Sequence, residues 1–271
     1  MADDAGYVLG SSDPELARLD AQAEYYRPAT LDAMRWAGLR PGMRVLDLGS
    51  GTGAVAFAAA EMVGPTGRVL GIDLQEAPVA TARRNAAILG LDNVSFEQAN
   101  LTTWTTDLRF DAVTGRLITM YFPDPGATIG RLAGFLEPGG IVLLQEFAMS
   151  MAHQIPETPL FRTTMDAFLG AFHAAGRPTD LGLDLDRVFA AAGLPAPVMA
   201  MGSRWERGHD ARTYALLTGI VRTLLPVIVT HGIATESEID IDTLEQRLRT
   251  AGSASGASAP QLVSVWARVA D

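Results

Sequence analysis

Val45-Leu46-Asp47-Leu48-Gly49-Ser50-Gly51-Thr52-Gly53 decides the fold: a short apolar run ends in a glycine-rich turn, and Ala54–Met62 continues as an apolar helix. Glycines permit a tight strand-to-helix turn and remove the β-carbons that would block a cofactor. A second run, Val69-Leu70-Gly71-Ile72-Asp73, ends in an acid 20 residues after Gly53. Strand, glycine turn, helix and distal acid together describe an adenosine grip, with Asp73 as the acceptor for the ribose hydroxyls. Gly49, Gly51 and Ala54 also satisfy a dinucleotide fingerprint. Asp47 argues against that use. A carboxylate at the mouth of the turn repels a diphosphate and suits an ammonium or sulfonium centre.

Outward from this motif, strands and helices alternate. Helix Glu76–Leu89 closes at Gly90, and Val94–Glu97 and Phe110–Arg116 read as strands. Ala127–Leu136 reads as a helix and Ile141–Glu146 as a fifth strand. Alternation of this kind implies βαβ crossovers and a mainly parallel sheet buried on both faces. Two further strands, Val198–Arg204 and Leu262–Val269, complete the expected α/β, Rossmann-like, mainly parallel seven-stranded sheet with helices on both faces and helical cap insertions. Two helical segments precede the core, Asp13 to Arg27 and Pro28 to about Gly38. Residues 1–40 are thus assigned to N-terminal helices contributing to the cofactor site, 41–147 to the cofactor-binding core, and 148–271 to completion of the sheet plus a cap. The cap comprises helices near 157–175, with Phe161, Met165, Phe168 and Phe172 on one stripe, and 211–250. In Ala211–Thr230, Leu217, Ile220, Val221, Leu224, Leu225 and Ile228 share a face. Thr235/Glu238 and Asp242/Glu245 have capping-box spacing, and 251–260 (AGSASGASAP) reads as a flexible loop. Such helices are expected over the C-terminal strand ends, where open α/β sheets bind ligands. Covering the back of the sheet or forming a homodimer interface are the alternatives.

Composition narrows the chemistry. The 271 residues contain no cysteine and no lysine, which excludes thiol nucleophiles, thiolate metal sites, Schiff bases and P-loop lysines. No dense His/Asp/Glu cluster suggests a metal. The formal net charge of −10 offers little to a phosphate backbone or an anionic membrane, so small-molecule partners are expected over nucleic acid or membrane. The start, MADDAGYVLG, has no basic or apolar stretch typical of a signal peptide, and no apolar run is expected to reach the ~18 residues of a membrane span, which favours a cytoplasmic chain.

VLDLGSGTG, GIDLQ, FDAVTGRLITMYFPDP and LEPGGIVLLQE, in this order over about residues 24–147, resemble the class I S-adenosylmethionine-dependent methyltransferases, in the branch related to quinone and secondary-metabolite enzymes. The resemblance implies S-adenosyl-L-methionine as cofactor. It implies that Asp47 meets the methionine amino group, that Gly49 and Gly51 lie beneath the cofactor, and that Asp73, followed by Leu74, takes the ribose. Asn100, followed by Leu101, stands where an acid often meets the adenine amino group, so its amide oxygen would accept without charge. Arg116 and Leu117 fall beside the methionine portion. Arg116 pairs there with the cofactor carboxylate or Asp47, or forms a structural salt bridge. Tyr26 closes one side of the site or packs as an ordinary aromatic.

Methyl transfer from a sulfonium is an in-line displacement that needs the acceptor held close and aligned, with or without a base. His153, beyond the fifth strand, is the best-placed base among four histidines, and Glu146 is expected to orient it or the acceptor, or to pair with Arg116. Tyr121, Phe122, Phe161, Met165 and Trp205 are the candidate walls of an apolar acceptor chamber. The expected activity is methylation of an oxygen, carbon or nitrogen atom of a small apolar or aromatic metabolite. A non-methyl reaction on the same fold, such as cyclisation or rearrangement, an NAD(P)-dependent oxidoreductase, and a non-catalytic binding protein are the alternatives.

Overall fold

The computed structural model describes residues 13–270, so the reading of MADDAGYVLG lies outside the described residues. Helix α1 (Asp13–Ala37) leads through strand β1 (Arg44–Leu48) into helix α2 (Ala54–Val63), followed by β2 (Arg68–Asp73), α3 (Glu76–Leu89) and β3 (Val94–Gln98). Next come β4 (Phe110–Arg116), α4 (Pro125–Ala133) and β5 (Leu136–Ala148). The chain continues through β6 (His153–Ile155), α5 (Pro159–Ala174), α6 (Leu185–Ala191), β7 (Val198–Gly202) and β8 (Glu206–Arg207). Helices α7 (Arg212–Thr230), α8 (Glu236–Ile239) and α9 (Ile241–Ala251) precede β9 (Gly256–Ser258) and β10 (Gln261–Arg268).

Seven strands form one sheet in the order β3-β2-β1-β4-β5-β10-β7. The pairs β2/β3, β1/β2, β1/β4 and β4/β5 are parallel, so the glycine turn emerges at the strand order's switch point between β2 and β4. This is the doubly covered α/β sheet expected. Val45, Ala112, Ile141 and Leu143 share a core with Met34 of α1, Ala56 and Ala59 of α2 and Val79 of α3. Their strand neighbours Leu46, Val113, Val142 and Leu144 are equally buried on the opposite face. Burial on both faces explains why these strands read as continuous apolar runs.

The described chain divides into two compact units. The sheet unit comprises Ala23–Glu146, Gly182–Met201 and the segment from Leu262 on. The other contains the start of α1, up to Gln22, with Phe147–Leu181 and Gly202–Gln261. It holds the expected helical insertions and a three-stranded antiparallel sheet in the order β6-β9-β8. Phe161, Met165, Phe168 and Phe172 of α5 are buried, and α5 packs against α7, which presents Leu217, Val221, Leu224 and Ile228 inward.

Five expectations are corrected. The two N-terminal segments are one helix that carries Pro28 internally. The expected helix Ala127–Leu136 stops at Ala133, and Leu136 already opens β5. Residues 251–260 are not a flexible loop: Ser255, Ala257, Ser258 and Ala259 are buried, and β9 is the central strand of its sheet. Helix α7 is, by length and composition, apolar enough to cross a membrane, because its Thr, Gly and Pro interruptions scarcely lower the average. About two fifths of that stretch, 39%, is buried within the protein. Thr235/Glu238 forms the capping box, whereas Asp242 lies within the first turn of α9.

Candidate active site

Gly49, Gly51 and Gly53 all adopt the left-handed conformation, at φ 64°, 51° and 97°. A β-carbon on Gly49 would come within 2.6 Å of Ile118, so this glycine permits a close internal approach. One on Gly51 would meet nothing within 4 Å, so this glycine faces open space. Sequence spacing marked both glycines, but only the structure separates a packing glycine from one that lines a cradle.

Asp47 follows Val45 by two residues, so its side chain projects on the face that carries α1 and α2. It is 1% exposed, and both carboxylate oxygens lack a hydrogen-bond partner. Ser50 Oγ and Thr114 Oγ1, the latter on the residue beside Asp47 across β1/β4, are likewise buried and unpartnered. Burial pushes the Asp47 carboxyl up to about 8, with Arg116 opposing and Asp73 reinforcing the shift.

Asp73 closes the turn. Its Oδ2 accepts from Gly51 N at 2.9 Å and its Oδ1 from Gln75 N at 3.0 Å, leaving further lone pairs on both oxygens. Leu74 beside it is 61% exposed, whereas Leu101 is buried. Asn100 is exposed, and its amide oxygen accepts from Thr102 N and Thr102 Oγ1. It therefore shapes the turn after β3 with the oxygen assigned to adenine.

Arg116, at the end of β4, makes no salt bridge with Asp47 or Glu146. Its Nη1 donates to Thr30 Oγ1 of α1 at 3.0 Å. Thr30 Oγ1 donates to Gln145 Oε1 at 3.0 Å, and Gln145 Nε2 donates to Ser264 Oγ at 2.8 Å. This chain ties α1, β4, β5 and β10 together on the Asp47 face. Burial draws the Arg116 guanidinium down to about 10, opposed by Asp47 and then Tyr26. Tyr26 is buried, its phenol pushed well above its usual range by that burial. Thr30, Gln145 and Ser264 went unrecognised in the sequence because their partners lie 86–119 residues away.

Glu146 follows Gln145, so strand alternation turns it to the opposite face of the sheet, and it does not pair with Arg116. It is fully buried. Its Oε1 accepts from Thr119 N at 2.7 Å, while Oε2 has no partner. Burial raises its carboxyl to about 7, against the pull of backbone N–H groups at Thr119, Met120 and Ile118. Glu146 thus pins the turn Thr119–Tyr121, which carries Tyr121 and the buried Phe122. Leu117, just before this turn, adopts a left-handed φ of 58°, uncommon for a residue with a β-carbon, and its N–H is held by Gln145 O at 2.8 Å.

The remaining expected residues belong to the other unit. His153 is exposed on β6, Trp205 is 46% exposed, and Phe161 and Met165 are buried in the helical pack. Among the described residues no group of three or more His, Asp or Glu is placed to hold a metal.

A parallel sheet with this glycine turn and these two acids defines a Rossmann-like methyltransferase. Residues 39–177 match the model of the methyltransferase domain family, and the chain belongs to that family. It is 39% identical over 118 residues to a nocamycin O-methyltransferase from Saccharothrix syringae, covering 43% of this chain and 42% of that protein. It is 40% identical over 100 residues to an aklanonic acid methyltransferase from a Streptomyces species, covering 36% and 46%. The matches thus span less than half the length of these curated relatives. The crystal structure of YcgJ from Bacillus subtilis superposes with a TM-score of 0.57 at 20% identity, covering 90% of this chain and 99% of that one, which shows the shared fold. The cofactor of this family and fold is S-adenosylmethionine. The residues present fit it: a buried carboxylate without a partner, Asp47, stands beside a glycine cradle open at Gly51.

Proposed function

We propose that the chain transfers a methyl group from S-adenosylmethionine to an oxygen, carbon or nitrogen atom of a small, apolar or aromatic metabolite. The observation that carries this reading is Asp47, buried with two unsatisfied oxygens at the end of β1. A buried carboxylate in this state costs stability unless a cationic ligand meets it. The likeness to a nocamycin O-methyltransferase and an aklanonic acid methyltransferase supports a small-molecule acceptor.

When bound, the cofactor supplies an electrophilic methyl group on a sulfonium. Asp47 holds its ammonium, and Asp73 binds the ribose hydroxyls while fixing Gly51. Arg116, kept in place by Thr30, offers its remaining donors to the carboxylate. Glu146 acts as a positioning residue: it fixes the turn that carries Tyr121 and Phe122, which are assigned to the acceptor. His153, Trp205, Phe161 and Met165 are the further residues assigned to the acceptor. A ring nitrogen of His153 takes the proton of a hydroxyl or amine acceptor.

Calorimetry with S-adenosylmethionine, its demethylated product and NAD tests the cofactor; NAD binding more tightly than both sulfur compounds would sink the reading. Once a screen of phenols, amines and quinone-like acceptors yields a substrate, His153→Ala should slow single-turnover methyl transfer by roughly 10²–10⁴-fold without changing cofactor affinity. An unchanged rate and pH profile would leave catalysis to proximity alone.

A further inference from the structure

The small sheet β6-β9-β8 presents one face to its own unit and the other to solvent. In antiparallel pairs, residues opposite each other project to the same side. Ile155 and Arg207 both pair with Gly256, and His153 pairs with Ser258 two residues on, so His153, Ile155 and Arg207 share one face. A β-carbon on Gly256 would lie 2.5 Å from Trp205 Cε2, Cζ2 and Nε1, which places the indole over this glycine on the same face. Gln154 and Ala257 project to the other side and are buried, and Gln154 is bonded to Tyr214 and Thr158.

The face so formed has an apolar floor, Ile155 at 63% exposure and Trp205 at 46%. Around it stand His153, the Trp205 N–H and the Arg207 guanidinium, none of which has a hydrogen-bond or ion-pair partner among the described residues. Several other arginines of this acidic chain pair with carboxylates: Arg44 with Glu137, Arg83 with Glu76, Arg212 with Glu206 and Arg222 with Asp242. Glu206, the neighbour of Arg207, is taken by Arg212 and by Thr213 N, so no carboxylate of its own strand neutralises Arg207. An aromatic and an aliphatic side chain side by side match a flat apolar body. Unpaired donors at the margin match an anionic oxygen.

We propose that this face is a binding site for a planar, apolar molecule bearing an anionic oxygen, set on Ile155 and Trp205 with its charge against Arg207. The binding surface stands apart from the methyl-transfer reading. Naphthoate and its methyl ester share a ring system and differ in charge, and serve as the probes. Calorimetry should show naphthoate binding at least about tenfold more tightly than the ester. Arg207→Gln should reduce naphthoate to the level of the ester. Trp205→Ala should weaken both probes, and Trp205→Phe, which keeps an aromatic floor, should restore most of the loss.

Equal affinity for acid and ester, or no effect of Arg207→Gln, would overturn the proposal. Arg207 is exposed and unpaired, so its substitution leaves the fold intact. Cofactor titrations on the same samples separate the two readings. Binding of the demethylated cofactor without naphthoate overturns this inference alone. Binding of naphthoate without either sulfur compound overturns methyl transfer and leaves the face as a site for aromatic acids.

Discussion

Asp47 sets the energetics of the site at the scale of a single residue. Its carboxyl is raised from 3.8 to about 8 in the folded protein, chiefly by burial. The native state therefore binds this proton more tightly than the unfolded chain does. The associated stability is complete below the unfolded value and is lost as pH rises through that window toward about 8. Asp47→Asn removes the titration but keeps the shape. Its melting temperature should match the parent's near pH 4 and exceed it by about 2–4 °C or more near pH 8.5; parallel melting curves across pH would show that Asp47 is not the cause. Glu146 contributes the same sign and is present in both proteins, so the difference isolates Asp47. Cofactor binding near pH 7 should also release a proton as Asp47 ionises against an ammonium. Calorimetry in buffers of different ionisation heat reads this directly, and the release should vanish in Asp47→Asn. Asp73→Ala should weaken cofactor binding by roughly 1–3 kcal/mol, with Asp73→Asn milder, as measured by the same titrations. Both acids were legible in the sequence because Asp47 interrupts the apolar run that leads into the glycine turn and Asp73 ends the next apolar run. Their different states were not: Asp73 is bonded by Gly51 and Gln75, whereas Asp47 has no well-formed hydrogen bond and the Ala56 N–H of α2 is the only backbone N–H that draws its carboxyl down, which neighbours from other elements decide.

Elements show where sequence patterns mislead. The small residues of 251–260 resemble a linker by composition, but large side chains require them to be small. A β-carbon on Gly252 would stand 2.0 Å from Tyr214 Oη, and one on Gly256 would strike the Trp205 ring. Gly252→Ala should therefore cost about 1–3 kcal/mol in chemical denaturation, and the amides of β9 should be protected from hydrogen exchange. Rapid exchange through 256–258 would restore the loop. Helix α1 was legible as helix, but its attachment was not, since Thr30 is a short polar residue in an ordinary helical sequence. Thr30→Val keeps its volume and removes the oxygen that joins Arg116 to Gln145. Two buried polar groups then lose a partner, and denaturation should report a loss of about 1–3 kcal/mol. The parallel strands were readable because two buried faces demand unbroken apolar runs.

At the scale of the whole molecule, charge governs encounter. With a net charge of −10, the protein should attract S-adenosylmethionine, which carries a net positive charge, more strongly than its neutral demethylated product. Stopped-flow association of the former should slow roughly several-fold as salt rises toward physiological strength, whereas the latter should change little. Equal salt dependence would place the site outside the field of the acidic surface. Topology has a further consequence. Strand β10 lies between β5 and β7, so the sheet cannot be completed in the order in which the ribosome makes it. Until Gln261–Arg268 has been synthesised, β5 has one free edge and Gln145 waits for Ser264. The nascent chain must carry that open edge through the translation of every helix from α5 to α9. A message cut short before Gln261 would yield a product with exposed strand edges, a substrate for chaperones and proteases rather than a smaller enzyme.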